Sequence, residues 1–277
     1  MYRFTQGKPI IILLTLTFLL TCFIGCSEDT DGDDNGGAPL LPPDDSMTID
    51  ISAFGANRLG APIPPIPGTK LNFAAATATT SIINTIVVAK LSIPVTIFIA
   101  AKSTTPVEQD DGSWLWSYSR NIGLETFTAN LTGKREGDEV TWSMKVSNTT
   151  SLRPLDNFEW YTGVNSRENG SGSWQFFNRN TPDQANPTYA INWKVEGEAK
   201  RERTFTNKEE GGPYFGNVVR YAVEGDMASI SFTEANKGTT TEIEWNLTTT
   251  AGSITSPSYK EGKKACWNEN KLDVACE

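Results

Sequence analysis

From residue 112 onward, apolar side chains recur at every second position. Trp114, Trp116 and Tyr118 alternate with Leu115 and Ser117, and Val140, Trp142, Met144 and Val146 alternate with Thr141, Ser143 and Lys145. Tyr189, Ile191, Trp193 and Val195 share one face, as do Ile243, Trp245 and Leu247 opposite Glu242, Glu244 and Asn246. This alternation predicts antiparallel strands with one dry and one wet face. Turn residues separate the runs at Glu136-Gly137-Asp138, Asn169-Gly170, Gly225-Asp226 and Lys237-Gly238. About ten to twelve strands linked by successive hairpins predict a mainly β fold, an antiparallel up-and-down barrel or half-barrel, because a sheet of that width curls.

Between about 70 and 101 the period changes. Leu71, Ala75, Ala78, Ile82 and Ile86 lie near helical spacing, as do Ile83, Val87 and Lys90. Ser92 is suited to cap a second helix, with Pro94 in its first turn and Phe98 and Ile99 inside. The expectation is two short N-terminal helices, the second apolar nearly all round and buried beneath one opening of the barrel. A membrane-inserting hairpin is set aside because Lys90 and Pro94 split the run into pieces too short to span. A weak echo at a spacing near 60 residues joins Gly112-Ser113-Trp114 to Gly172-Ser173-Trp174, and Arg120-Asn121 to Arg179-Asn180.

The first residues are an address. Arg3 and Lys8 precede a mainly apolar run from Ile10 to Ile24, whose end reads Phe23-Ile24-Gly25-Cys26. Charge, short apolar run and small residue describe a secretory signal. The last four residues resemble the lipobox of bacterial lipoproteins, with Phe23 where leucine is usual. The resemblance implies a signal peptide over 1–25, cleavage before Cys26, and acyl chains, palmitate among them, on that residue. It covers the leader only and carries no information on the rest of the chain. Residues 26–47 read as an acidic flexible tether, with Glu28, Asp29, Asp31, Asp33, Asp34, Asp44 and Asp45 and no base. Ser27-Glu28-Asp29 resembles the export tag of surface-displayed lipoproteins. The implied location is the outer membrane of a Gram-negative bacterium, lipid-anchored and cell-surface exposed, with the periplasmic face as the alternative. The remainder, 48–277, reads as one β-rich domain, with a Pro-rich strip at 61–68.

Composition narrows the chemistry. The 277 residues contain no histidine, which removes imidazole-based catalysis and His-ligated metals. Lys+Arg 24 against Asp+Glu 33 argues against a nucleic-acid partner. Removing Arg3 and Lys8 with the signal leaves 22 basic residues; removing the seven tether acids leaves 26 acidic ones, so the domain is only mildly acidic at 22 − 26 = −4. Of the four cysteines, Cys22 leaves with the signal and Cys26 carries lipid, so Cys266 and Cys276 are expected to form a disulfide in an oxidising compartment.

No phosphate loop, metal-ligand cluster or activated nucleophile is visible, and no cofactor or metal is expected. Asn268, Asn270 and Asp273 as calcium ligands are set aside because the loop lacks the glycine and carboxylates of an EF-type site. Glu242 and Glu244 lie about 7 Å apart on one strand face, a spacing within reach of a glycosidase pair, but they stand opposite a clean apolar stripe, so a solvated sheet face is the favoured reading. Lys200, Arg201 and Arg203 form the one basic cluster, read as interstrand pairing with acids. Trp114, Trp116, Glu159, Trp160 and Tyr161 are the candidate ligand-binding residues, since aromatic faces beside a carboxylate suit a sugar ring. The reading is a non-enzymatic binding or carrier module for a glycan or apolar small ligand. The alternatives are a polysaccharide hydrolase and an envelope component that works through protein contact.

Overall fold

The computed structural model describes residues 37–55, 68–149, 154–183, 185–197 and 199–276. The expected signal peptide, Cys26, the acids of 27–36 and most of the Pro-rich strip lie outside the described residues. Fourteen antiparallel strands follow one another in strict chain order: β1 (Val107–Glu108), β2 (Trp114–Ile122), β3 (Glu125–Glu136), β4 (Glu139–Asn148), β5 (Leu155–Ser166), β6 (Ser171–Phe176) and β7 (Tyr189–Glu196) form the first half. The second half is β8 (Lys200–Asn207), β9 (Val218–Glu224), β10 (Met227–Glu234), β11 (Thr239–Asn246), β12 (Gly252–Thr255), β13 (Ala265–Trp267) and β14 (Asp273–Val274). The two end strands do not pair, so the sheet stays open rather than closing into a barrel. The strand count exceeds the sequence expectation because β1, β13 and β14 are two or three residues long, too short for a period to show. Short end strands also leave little unpaired edge. The expected hairpins at 137–138 and 225–226 are present, with Gly137 and Gly225 at φ +65° and +55°.

The inner face is built by interlocking tryptophans and glycines. Across the sheet, Trp114 stands opposite Gly133, Gly133 opposite Trp142, Trp142 opposite Gly163, and Gly163 opposite Trp174. A Cβ on Gly133 or Gly163 would collide with the neighbouring indole. The same arrangement recurs at Gly172 beside Trp193, and at Gly252 between Trp245 and Trp267. Glycine here leaves the space that each indole fills. The 60-residue echo does not extend to register, since Trp114 pairs with Gly133 whereas Trp174 pairs with Ile191.

The two expected short helices are a single helix, α1 (Leu71–Ala101), with one π-helical turn at Asn84–Val88. Ser92 caps nothing; its hydroxyl donates to the Ala89 carbonyl at 3.1 Å. Pro94 sits inside the helix and is buried. An internal proline costs about 3 kcal/mol, while each fully buried large apolar side chain contributes roughly 1.5–3 kcal/mol. Leu91, Ile97 and Phe98 are all buried nearby, so tertiary burial overrides the local stop signal. Phe98 meets Trp174 edge-on at 5.6 Å, and Phe73 meets Trp267 at 5.7 Å.

The second correction concerns the tether. The compact unit begins at Ala38, and residues 38–47 are packed chain. Asp44–Met47 is a 3-10 turn with Ser46 and Met47 buried. The Trp174 indole donates to the Ser46 hydroxyl at 3.2 Å. Asp45 pairs with Arg203, whose side chain is 3 % exposed, and with Arg201 at 3.4 Å. Asp44 pairs with Lys102 at 2.5 Å, so two of the tether's acids act as anchors for the N-terminal strap, and Arg201 and Arg203 of the basic cluster are both spent on Asp45. Lys200 pairs with Glu196 at 3.2 Å.

Candidate rim cleft

The loops are distributed unequally between the two ends of the sheet. At one end the connections are tight, at 137–138, 197–199 and 225–226; at the other end lie the long connections 177–188 and 208–217. Long loops held on a rigid scaffold are where binding groups usually collect. They meet the middle of α1 and enclose a cavity of about 210 Å³.

Its walls come from several elements. Trp160 and Phe176 come from β5 and β6, Tyr189 from β7, Lys90 and Pro94 from α1, and Phe177 and Arg179 from the long loop. Trp160 reaches the cavity through a register shift: Met144 pairs with Tyr161, but Lys145 pairs with Glu159, leaving Trp160 as the extra residue of a bulge. Such a bulge re-aims one side chain, and it turns both Trp160 and Tyr161 inward. The Arg179 guanidinium is fixed by both oxygens of Glu125 at 3.1 and 3.0 Å, and lies 5.8 Å from the Trp160 ring centre and 5.7 Å from that of Phe127. Lys90 pairs with Glu209 at 3.4 Å, and Asn207 donates to the Tyr189 hydroxyl at 2.8 Å. Burial pushes the Tyr189 phenol well above its usual range, aided by the Glu209 charge. Backbone bonds stitch the loops to the sheet: Phe177 N–H to the Trp160 carbonyl, Thr188 N–H to Phe176, and Lys208 N–H to Thr188, each 2.8 Å. The cleft is therefore held in shape by the fold. Beside it lies a more polar hollow of about 450 Å³, lined by Asn178, Asn186, Thr188, Lys208, Glu209 and Glu210 among others.

The five candidate residues do not come together. Trp160 lines the cleft, at 5 % exposure as part of its floor. Trp116 is core, 5.6 Å from Trp142. Tyr161 is fully buried against Trp174 and Phe176. Trp114 is half-buried in the tryptophan–glycine row, and Glu159 lies on the opposite sheet face, accepting the Ser143 hydroxyl at 2.9 Å. Glu242 and Glu244 are exposed on the outer face, with Glu244 bridged to Lys264 at 3.0 Å. Trp142, Trp193 and Trp245 are buried in the core on the inner face of the open sheet. Cys266 and Cys276 form a disulfide, Cα atoms 5.2 Å apart, and Asp273 in the same loop caps α1. Among the described residues no cluster of three or more metal-ligating side chains occurs.

Phe176, Phe177, Arg179, Lys90 and Glu209 were not read as site residues in the sequence. Phe177 and Arg179 carry one signal, loop length, because 177–188 is an aperiodic stretch rich in Asn and Pro between two clear strands; Phe176 on a strand, Lys90 on the helix and Glu209 in the second long loop carry none. The chain matches no protein-family model, no curated protein and no solved structure.

Proposed function

We propose that this chain is an exported lipoprotein, held on the outer membrane through acylated Cys26, whose half-barrel binds the end of a neutral glycan in the rim cleft without transforming it. The lipobox resemblance supports the anchor, and the acidic Ser27-Glu28-Asp29 supports display at the cell surface. The observation that carries the ligand reading is the composition of the cleft. An apolar floor of Trp160, Phe176 and Phe177 is surrounded by the amides of Asn178 and Asn180, and the cations Lys90 and Arg179 already face carboxylates. Such a site offers dispersion contact to a ring face and hydrogen bonds to its hydroxyls, with little net charge to attract an ion. An apolar cargo fits less well, because α1 and the N-terminal strap already cover the inner face of the sheet where such a cargo would lie.

The test is a glycan screen on the full mature protein in detergent micelles, followed by titration of any hit. Binding of a neutral oligosaccharide, weakened at least tenfold by Asn180→Ala and by Phe177→Ala, is the expected result. No glycan bound, or a hit indifferent to both substitutions, removes the reading.

A further inference from the structure

The side of α1 turned away from the sheet has an unusual composition. Its exposed positions are Leu71, Ala78, Ile82, Thr85, Ser92 and Ile99, together with Lys90, which turns to the rim and pairs with Glu209. Leu71, Ile82 and Ile99 keep 50, 46 and 42 % of their surface exposed. The hydroxyls on this helix are already satisfied internally. Thr85 donates to the Ser81 carbonyl at 3.1 Å, Thr96 to Ser92 at 2.8 Å, Thr77 to Phe73 at 2.9 Å, and Ser92 to Ala89 as above. Back-bonding of this kind leaves a hydroxyl able to sit where water is scarce. Alongside, Met47, Ile49, Val87, Val88, Leu91 and Val95 line an open apolar groove of about 220 Å³.

We infer that this face docks on the acyl region of a lipid bilayer, with α1 lying along the membrane surface. The inference rests on the anchoring reading above. Cys26 precedes Ala38 by 38 − 26 = 12 residues, a reach of at most about 43 Å at 3.6 Å per residue, so the domain is confined close to the bilayer. The helix is long and apolar enough to cross a membrane by length and composition. It does not span, because Ile83, Ile97 and Phe98 on its other side are completely buried against the protein. A protein interface is ordinarily laced with hydrogen bonds, about one per 100–200 Å²; this helix face has few donors left to offer. Lipid asks for none. The mildly acidic domain gains nothing from anionic headgroups, so docking is hydrophobic and independent of lipid charge.

The test uses the mature acylated protein in phosphatidylcholine vesicles, spin-labelled at Ile82→Cys, at Ile99→Cys, or at Glu242→Cys on the outer sheet face. Flotation is measured first, then collision of each label with dissolved oxygen and with a water-soluble nickel complex. The expected result is co-flotation, with oxygen collisions favoured several-fold over nickel at 82 and 99 and the reverse at 242. Equal nickel access at all three sites on floating vesicles overturns the docking and leaves the anchor standing. Failure to float overturns both. Spin–spin broadening at 82 with full nickel access means that a second copy covers the face, which also overturns it.

Discussion

The carboxylate of Asp273 accepts the backbone N–H of Asn72 at 2.9 Å, and its other oxygen accepts that of Leu71 at 3.2 Å. The last strand thus caps the first turn of a helix some 200 residues earlier in the chain, where the peptide dipoles favour a negative charge. Asn72 reinforces the junction by donating to the Cys266 carbonyl and accepting from Tyr259 and Lys260. The disulfide next to Asp273 keeps the cap in place. Asp273→Ala should cost about 1–2 kcal/mol, the usual worth of a lost cap. Reducing the Cys266–Cys276 bond should cost roughly 3 kcal/mol in the chain-entropy account. Urea unfolding measures both. If the two losses share the cap, their sum will exceed the effect of making both changes together, and full additivity would contradict the coupling.

A second prediction concerns the strap. Arg203 is buried, lies 5.9 Å from the Tyr221 ring centre, and faces Asp45. Removing one member of a buried pair costs about 3–5 kcal/mol when both are fully enclosed; Asp45 is about a third exposed, so a smaller loss is expected. Asp45→Ala should destabilise more than Arg203→Met, because the first leaves a cation stranded in the core and the second removes it. Denaturant midpoints order the two variants. Limited proteolysis should open Asp45→Ala first between residues 38 and 47, and an unchanged digestion pattern would show that the ion pair does not hold the strap.

The sheet was legible because alternation is a local signal that survives in any stretch with one dry face. It misled where the ladder slips: Trp160 and Tyr161 both face inward only because a bulge lies between Lys145 and Met144, and nothing in the local pattern announces it. Ser92 and Pro94 carry honest local signals for a helix boundary that packing of Leu91, Ile97 and Phe98 overrides. Asp44 and Asp45 belong by composition to a solvated linker, and only the positions of Lys102 after the helix and Arg203 on a distant strand reveal their use. The cleft was hidden for the opposite reason. Phe177, Asn178, Arg179 and Asn180 sit on a long aperiodic connection, and their convergence with Trp160, Lys90 and Glu209 is a property of the tertiary fold.

The tryptophan–glycine packing yields a third prediction. A methyl group at Gly163 would enter the volume of the Trp174 indole and approach the Ser173 carbonyl. Overpacking of a tight core costs about 1–3 kcal/mol. Gly163→Ala should show this loss in urea, whereas Gly37→Ala, where a methyl meets nothing within 4 Å, should be nearly silent. Pairing Gly163→Ala with Trp174→Phe should recover part of the stability. Failure of that recovery would mean that the backbone contact, and not the ring, sets the requirement for glycine.

Two phenols, Tyr118 half-buried and Tyr161 fully buried, give the last prediction, because they differ in one hydrogen bond. The Tyr118 hydroxyl donates to the Ile97 carbonyl at 2.6 Å, tying β2 to α1. The Tyr161 hydroxyl is fully buried and has no partner among the described residues. Tyr118→Phe should therefore lose about 1 kcal/mol, whereas Tyr161→Phe should be neutral or gain about that much, because it removes an unsatisfied polar atom from the core. Burial raises the pKa of both phenols above the usual value near 10, with Tyr118 adding to the effect at Tyr161. The folded protein then holds protons that the unfolded chain releases above about pH 10. Stability is fully present below that pH and falls as pH rises through it. In wild-type protein the absorbance at 295 nm should show these phenols ionising only with unfolding. Tyr161→Phe should shift the alkaline midpoint upward, and a downward shift would show that its hydroxyl is satisfied after all.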